Sequence, residues 1–299
     1  AIHDSQLVAA GITTVFDALS VGDVNPASVR LKQLTPTIEA VCQAQRGGWL
    51  AADHRIHMSF ELSFEDGFAI AEEHLGNPLV GLVSLMDHSP GQRQFTDPEK
   101  LDQYLAGKYG LSPDAVRALV QEIQRKQELY GDANRAALAR LARERGLPIA
   151  SHDDATAEHV AEAARDGVTL AEFPTTVEAA RAAHERGMRV VAGAPNLMLG
   201  GSHSGNVSTA ELGAAELVDI LSSDYVPLSL LHGVFRLAAE TGRPLHRAAR
   251  TATLHAAQAV GMNDRGALAP GLRADLIAVR EAGGVPRLQS VWVEGRRVV

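Results

Sequence analysis

The sequence predicts an α/β protein: a TIM-like (β/α)8 barrel whose first strand is absent from this sequence, followed by a small β-sandwich module. Three observations lead there. Short apolar runs alternate with helix-like stretches along most of the 299 residues. Several of those runs end in carboxylates or histidines, as buried parallel strands do when they deliver chemistry at their C-terminal ends. The tail then changes to short alternating segments with glycine turns.

The elements follow in order. Residues 1–10 read as a helix. Residues 11–18 are β-branched after a glycine and read as a strand. A helix over 28–45 stops at Gly47-Gly48. In the next strand, Ile56, Met58 and Phe60 alternate with His57, Ser59 and Glu61, which suggests one face turned to a barrel interior. A helix over 65–74 leads to the strand 79–88, which ends at Asp87-His88. A helical insertion follows, with one helix over 97–106. Ser112 caps a second that runs to about residue 146, with a break expected near Gly131. Pro148-Ile149-Ala150-Ser151-His152-Asp153-Asp154 is the clearest strand end, and its period of two puts His152 and Asp153 on opposite faces.

Strands beginning at Val168, Met188 and Val218 complete the series, with helices over 155–165, up to 187, 208–217, 228–241 and 245–260. These seven strands fall one short of a closed barrel of this type. An open, doubly wound sheet is the competing topology. The barrel is assigned to residues 1–262. Residues 263–299 are assigned to the β module, with two strands around Pro270-Gly271 and a turn at Gly295-Arg296.

Composition narrows the function. Net charge is −8, with no dense run of Lys or Arg, which argues against nucleic acid. No apolar run approaches the ~20 residues of a membrane span. The single cysteine, Cys42, allows no intrachain disulfide and suits the cytoplasm. A homo-oligomer is compatible with all of this.

The strand ends gather Glu61, Asp87, His88, His152, Asp153, Asp154, Glu172 and Asp224, with His203 on a glycine-rich loop. Imidazoles and carboxylates at one barrel mouth suit a divalent metal, Zn2+ first and Mn2+ or Mg2+ as alternatives. Such an ion lowers the pKa of bound water towards about 7. The loop 200–206 offers backbone N–H groups for phosphate oxygens, with Gly201, Ser202 and Ser204 as contacts. Arg93, Lys100 and Lys108 sit near the strand-end loop, where they would meet an anion. His54, His74, His159, His184, His232, His246 and His255 fall on helices or their flanks and read as structural or solvated.

This pattern resembles the amidohydrolase superfamily. By that resemblance His152 is similar to its strand-five metal histidine and Glu61 to the carboxylate that several members use in place of a carbamylated lysine. Asp224 is similar to the strand-eight aspartate that binds metal and handles the proton. The resemblance implies metal roles for Glu61, His152 and Asp224, with Asp224 catalytic, and the strand-end reading adds Glu172 and His203 to the metal set. Ser84-Leu85-Met86-Asp87-His88-Ser89-Pro90-Gly91-Gln92-Arg93, Ser151-His152-Asp153-Asp154, Glu172-Phe173-Pro174-Thr175-Thr176, Gly200-Gly201-Ser202-His203-Ser204-Gly205-Asn206 and Ser222-Ser223-Asp224-Tyr225 resemble the PhnM family more closely. That likeness implies a diphosphatase of the carbon–phosphorus lyase pathway, acting on a small sugar triphosphate. Two departures stand out: the strand-one metal motif is not in this sequence, and Glu172 stands where a strand-six histidine is usual. The alternatives are a deaminase or deacetylase on a C–N bond, and a catalytically silent scaffold barrel.

Overall fold

The computed structural model describes residues 2–22, 29–90, 93, 106–107, 110, 112–201 and 206–299. Seven parallel strands form one curled sheet in the order of the chain: β1 (Thr14–Val21), β2 (Asp53–Glu61), β3 (Val80–Met86), β4 (Ile149–His152), β5 (Leu170–Glu172), β6 (Arg189–Gly193) and β7 (Ile220–Ser222). A doubly wound sheet reverses its strand order at a switch point. Here the order never reverses, so the competing topology is ruled out and the architecture is that of a barrel wall.

The two faces of β2 explain the curl. Ile56, Met58 and Phe60 are fully buried in the main core, among the residues that pack the sheet against the outer helices. His57 and Ser59 line the inner cavity with Leu82, Ala150, Leu170, Val191 and Ile220. The polar-face reading of this strand was therefore right. Burying Phe60, Met58 and Ile56 contributes roughly 1.5–3 kcal/mol each, which fixes the register of β2.

The helices before and after the insertion are α1 (Ile2–Ala9), α2 (Arg30–Arg46), α3 (Gly67–His74) and α4 (Pro113–Glu144). Ser112 caps α4 by accepting from the Ala115 amide at 3.3 Å. The expected break at Gly131 does not occur: α4 is continuous over 32 residues. A lone glycine costs a helix only about 1 kcal/mol, less than packing on this face returns. The helix expected over 97–106 falls outside the described residues except at 106.

Beyond it come α5 (Ala157–Arg165), α6 (Val177–Glu185), α7 (Ala194–Leu199), α8 (Thr209–Ala214), α9 (Ser229–Thr241), α10 (Leu245–Thr251) and α11 (Leu254–Ala259). Two expectations change here. The segment after β6 is the short helix α7, with Pro195 in its first turn and Gly200 in the left-handed conformation closing it. The stretch 245–260 is two helices, because Thr253 at φ −129 interrupts the helical backbone.

The tail forms an antiparallel sheet of β8 (Leu276–Ala282), β9 (Val285–Val293) and β10 (Arg296–Arg297). The turn after β8 is Gly283-Gly284, both at positive φ, as a tight hairpin requires. Residues 266–275 are not the strand pair expected around Pro270-Gly271. They lead instead into a buried ionic junction. Asp53 at the foot of β2 accepts from Arg265 Nη1 at 2.7 Å and from Arg273 Nη1 at 2.9 Å. That junction binds the tail to the barrel.

Candidate metal centre

The centre forms at the ends of β3 and β4, with Glu61 and Glu172 beside it at the ends of β2 and β5. β4 ends at His152, and Asp153 takes a left-handed φ of 56°. Aspartate tolerates that region better than most residues. The turn swings the Asp153 carboxylate to the side His152 faces, so Asp153 Oδ2 lies 3.6 Å from His152 Nε2. The period-of-two placement on opposite faces fails for this reason: the strand is already over. The ends of β5 and β7 repeat the device, with Phe173 at φ 55° and Asp224 at φ 48°.

Two histidines are anchored in the same way. His88 Nδ1 lies 2.7 Å from Glu61 Oε2, and the His88 amide donates to Glu61 Oε1 at 3.0 Å. His152 Nδ1 lies 2.9 Å from Glu172 Oε2. Each carboxylate holds its ring by Nδ1 and turns Nε2 towards Asp153 Oδ2, at 3.8 Å for His88 and 3.6 Å for His152. Those separations are too long for hydrogen bonds. The ligand atoms of His88, His152 and Asp153 all lie within 4.8 Å of one another. Two imidazoles and one carboxylate facing a shared point, each ring backed by a carboxylate, is a donor set that fits a divalent ion of the zinc class.

The electrostatics agree. Burial disfavours the charged form of His152, yet Asp153, Glu172 and Glu61 outweigh it and raise its pKa to about 9. Burial opposes ionisation of Glu172, but His57, His152 and Ser84 bring its pKa down to about 2. Burial raises Asp153, and the neighbouring imidazoles only partly offset this. The pocket thus concentrates negative charge that a cation would relieve.

The remaining candidates fall in different places. Glu61, Glu172 and Asp224 lie outside the three-residue group. Glu61 and Glu172 are taken up by the imidazoles they hold. Asp224 lies past the end of β7, exposed on the cavity wall. Asp87 is spent on the Ser89 amide and on Gln127 Nε2. Asp154 accepts from Ser151 Oγ and from Arg93. Arg93 is 6% exposed, with its guanidinium on Asp154 and, at 3.5 Å, on Glu162. Both of these carboxylates engage it within the protein. The Gly201 amide donates to Asn196 O at 3.1 Å and closes α7. Lys100, Lys108, Ser202, His203 and Ser204 lie outside the described residues. His54, read as flanking a helix, lies in β2 and is buried between Asp17 and Asp4.

Sequence reasoning did not assign roles to His57 and Ser84. Both are buried and both reach the Glu172 side of the centre. The polar alternation of β2 was the available signal for His57; Ser84 sits in an apolar run that gave none.

The loops after β4 and β5 are stitched together. The Thr175 amide donates to Asp154 O at 2.8 Å, Thr176 Oγ1 to Ala155 O at 2.7 Å, and the Ala157 amide to Glu178 Oε1 at 3.1 Å. Thr156 and Thr176 cap α5 and α6. Beside the centre a cavity of about 1830 Å3 runs through the curl of the sheet, lined by His57, His152, Glu172, Phe173 and Asp224 among others. Ordinary ligand pockets are roughly 300–1,000 Å3.

Comparison with known proteins bears on this arrangement. Residues 5–298 match the amidohydrolase family. The chain is 44% identical over 298 residues to alpha-D-ribose 1-methylphosphonate 5-triphosphate diphosphatase of Escherichia coli, covering 99% of this chain and 79% of that protein. Among solved structures it resembles N-isopropylammelide isopropylaminohydrolase from Burkholderia multivorans, with a TM-score of 0.62, 17% identity, and coverage of 100% of this chain and 73% of that one. It also resembles an adenosine deaminase from Xanthomonas campestris with bound zinc, with a TM-score of 0.56, 17% identity, and coverage of 98% and 67%. None of the described helices is long and apolar enough to cross a membrane.

Proposed function

Because the chain belongs to the amidohydrolase family, we propose that it is a metal-dependent hydrolase of phosphonate breakdown. Its substrate would be alpha-D-ribose 1-methylphosphonate 5-triphosphate, the compound named for the E. coli relative of 44% identity. The observation that carries the reading is the convergence of His88, His152 and Asp153 on one point beside a cavity lined by His152, Glu172 and Asp224. Hydrolysis would place a water oxygen on the α-phosphorus and break its bond to the α–β bridging oxygen. Pyrophosphate leaves, and ribose 1-methylphosphonate 5-phosphate remains.

His88, His152 and Asp153 would hold the ion, Zn2+ before Mn2+ or Mg2+. When bound, it supplies Lewis acidity and brings water within reach of deprotonation near neutral pH. The protein's own groups do the rest. Glu61 and Glu172 keep the two imidazoles in register. Asp224, on the cavity wall, accepts the water proton. Phe173 packs edge-on to His152 at 5.7 Å and limits water on that side. Gly201, Ser202, Ser204 and Lys108 are the proposed phosphate contacts, and His203 a further proposed metal ligand. The reading places the enzyme in the cytoplasm, as a monomer or homo-oligomer, with neither nucleic acid nor membrane as partner.

The test is 31P NMR of the full chain with Zn2+ and this triphosphate. Pyrophosphate and the 5-phosphate should appear in equal amounts. Orthophosphate as the sole product, or no turnover with Zn2+, Mn2+ or Mg2+, would overturn the assignment.

A further inference from the structure

His57 and Ser84 are buried beneath the proposed centre and take no part in the chemistry above. His57 Nε2 stands 2.6 Å from Ser84 Oγ. Ser84 Oγ donates to Glu172 Oε2 at 2.9 Å. The same oxygen receives His152 Nδ1 at 2.9 Å. The chain therefore crosses from β2 through β3 to β5 and ends on β4.

Proton counting gives its direction. An ionised carboxylate only accepts, and a hydroxyl has one proton. Ser84 spends that proton on Glu172, so its bond with His57 must run from His57 Nε2–H to Ser84 Oγ. His57 therefore carries an N–H on Nε2 for this bond. Ser59 Oγ, at 3.4 Å from the same nitrogen, is a weak competitor. At the far end Glu172 draws the His152 proton to Nδ1. That turns Nε2 towards Asp153 and His88.

We propose that His57 and Ser84 are positioning residues that hold Glu172 so that His152 presents Nε2, correctly oriented, to a divalent cation. The inference rests on the metal reading of the site. Its test is a Zn2+ titration of the full chain against a competing chelator, with circular dichroism to establish folding. His57→Leu and Ser84→Ala should each bind Zn2+ about 10-fold more weakly than wild type, the scale on which outer partners of metal ligands act. His57→Gln keeps an N–H donor at the end of its side chain and should recover most of the loss. Folded His57→Leu and Ser84→Ala with wild-type affinity would overturn the inference while the metal site stands. His57→Gln no better than His57→Leu would overturn it too, since packing alone would then explain the effect. If His57→Leu does not fold, Ser84→Ala, which removes one oxygen, decides. Wild type taking up no Zn2+ would remove the metal reading and this inference together.

Discussion

Asp153 follows His152 directly in the chain, yet its carboxylate oxygen stands 3.6 Å from the His152 Nε2 instead of on the other side of the strand. One left-handed residue makes two neighbours into a pair. Asp153→Ala should therefore remove a ligand, not a bystander, and weaken Zn2+ binding by more than about 100-fold, beyond what outer partners contribute. Calorimetric titration measures this. Unchanged affinity would exclude Asp153 from the centre.

Stability should fall on the alkaline side through His54. Burial lowers its pKa, but Asp17 at 2.7 Å and Asp4 at 3.2 Å outweigh this and raise it above 6.5. The His3 ring, 6.0 Å away, also faces it. A histidine raised in the folded state contributes in full below its unfolded pKa, and the contribution disappears as pH rises through the folded one. Asp4 works the other way: its lowered pKa contributes above 3.8 and is lost as pH falls. Urea midpoints from pH 5 to 10 should decline across the alkaline arm in wild type and decline less in His54→Gln, where His152 still contributes. An equal decline in both would assign the loss to other groups.

Asp53→Ala should cost about 1.5–3 kcal/mol, the scale of its charged hydrogen bonds, because Arg265 keeps Asp264 and Arg273 keeps Asp275. Arg265 and Arg273 both bond to the Asp53 carboxylate. Denaturant unfolding reads the loss. A cost below about 1 kcal/mol, ordinary for an exposed pair, would mean water replaces the bridge.

Arg93→Lys should behave almost as badly as Arg93→Ala. The guanidinium spans Asp154 and Glu162 and reaches His152 O at 3.5 Å, geometry that an ammonium cannot copy. Both variants should lose about 3 kcal/mol of stability. A lysine variant as stable as wild type, with weakened triphosphate affinity, would return Arg93 to the substrate.

The barrel was legible because parallel strands write it plainly: Ile56, Met58 and Phe60 alternate with His57, Ser59 and Glu61, and the structure places the two sets on opposite faces. Glu61, His88, His152 and Glu172 were all legible as strand-end residues. What was not legible was which of them gather at one point. Glu172 read as a ligand because a strand-end carboxylate looks the same whether it binds metal or a histidine. Ser84, whose hydroxyl donates to Glu172, is 88 residues away in sequence. Asp153 was misplaced because periodicity assumes an extended backbone, and the turn begins one residue earlier than the pattern suggested. Gly131 suggested a break that packing overrode.

The cross-links between the loops after β4 and β5 have a consequence for redesign. Asp154 and Ala155 accept from Thr175 and Thr176, and Glu178 reaches back to Ala157. Neither loop can be exchanged for a foreign sequence without unpairing the other. A transplant meant to alter what this barrel accepts would have to move residues 152–178 as one cassette, carrying the intervening α5 with both loops.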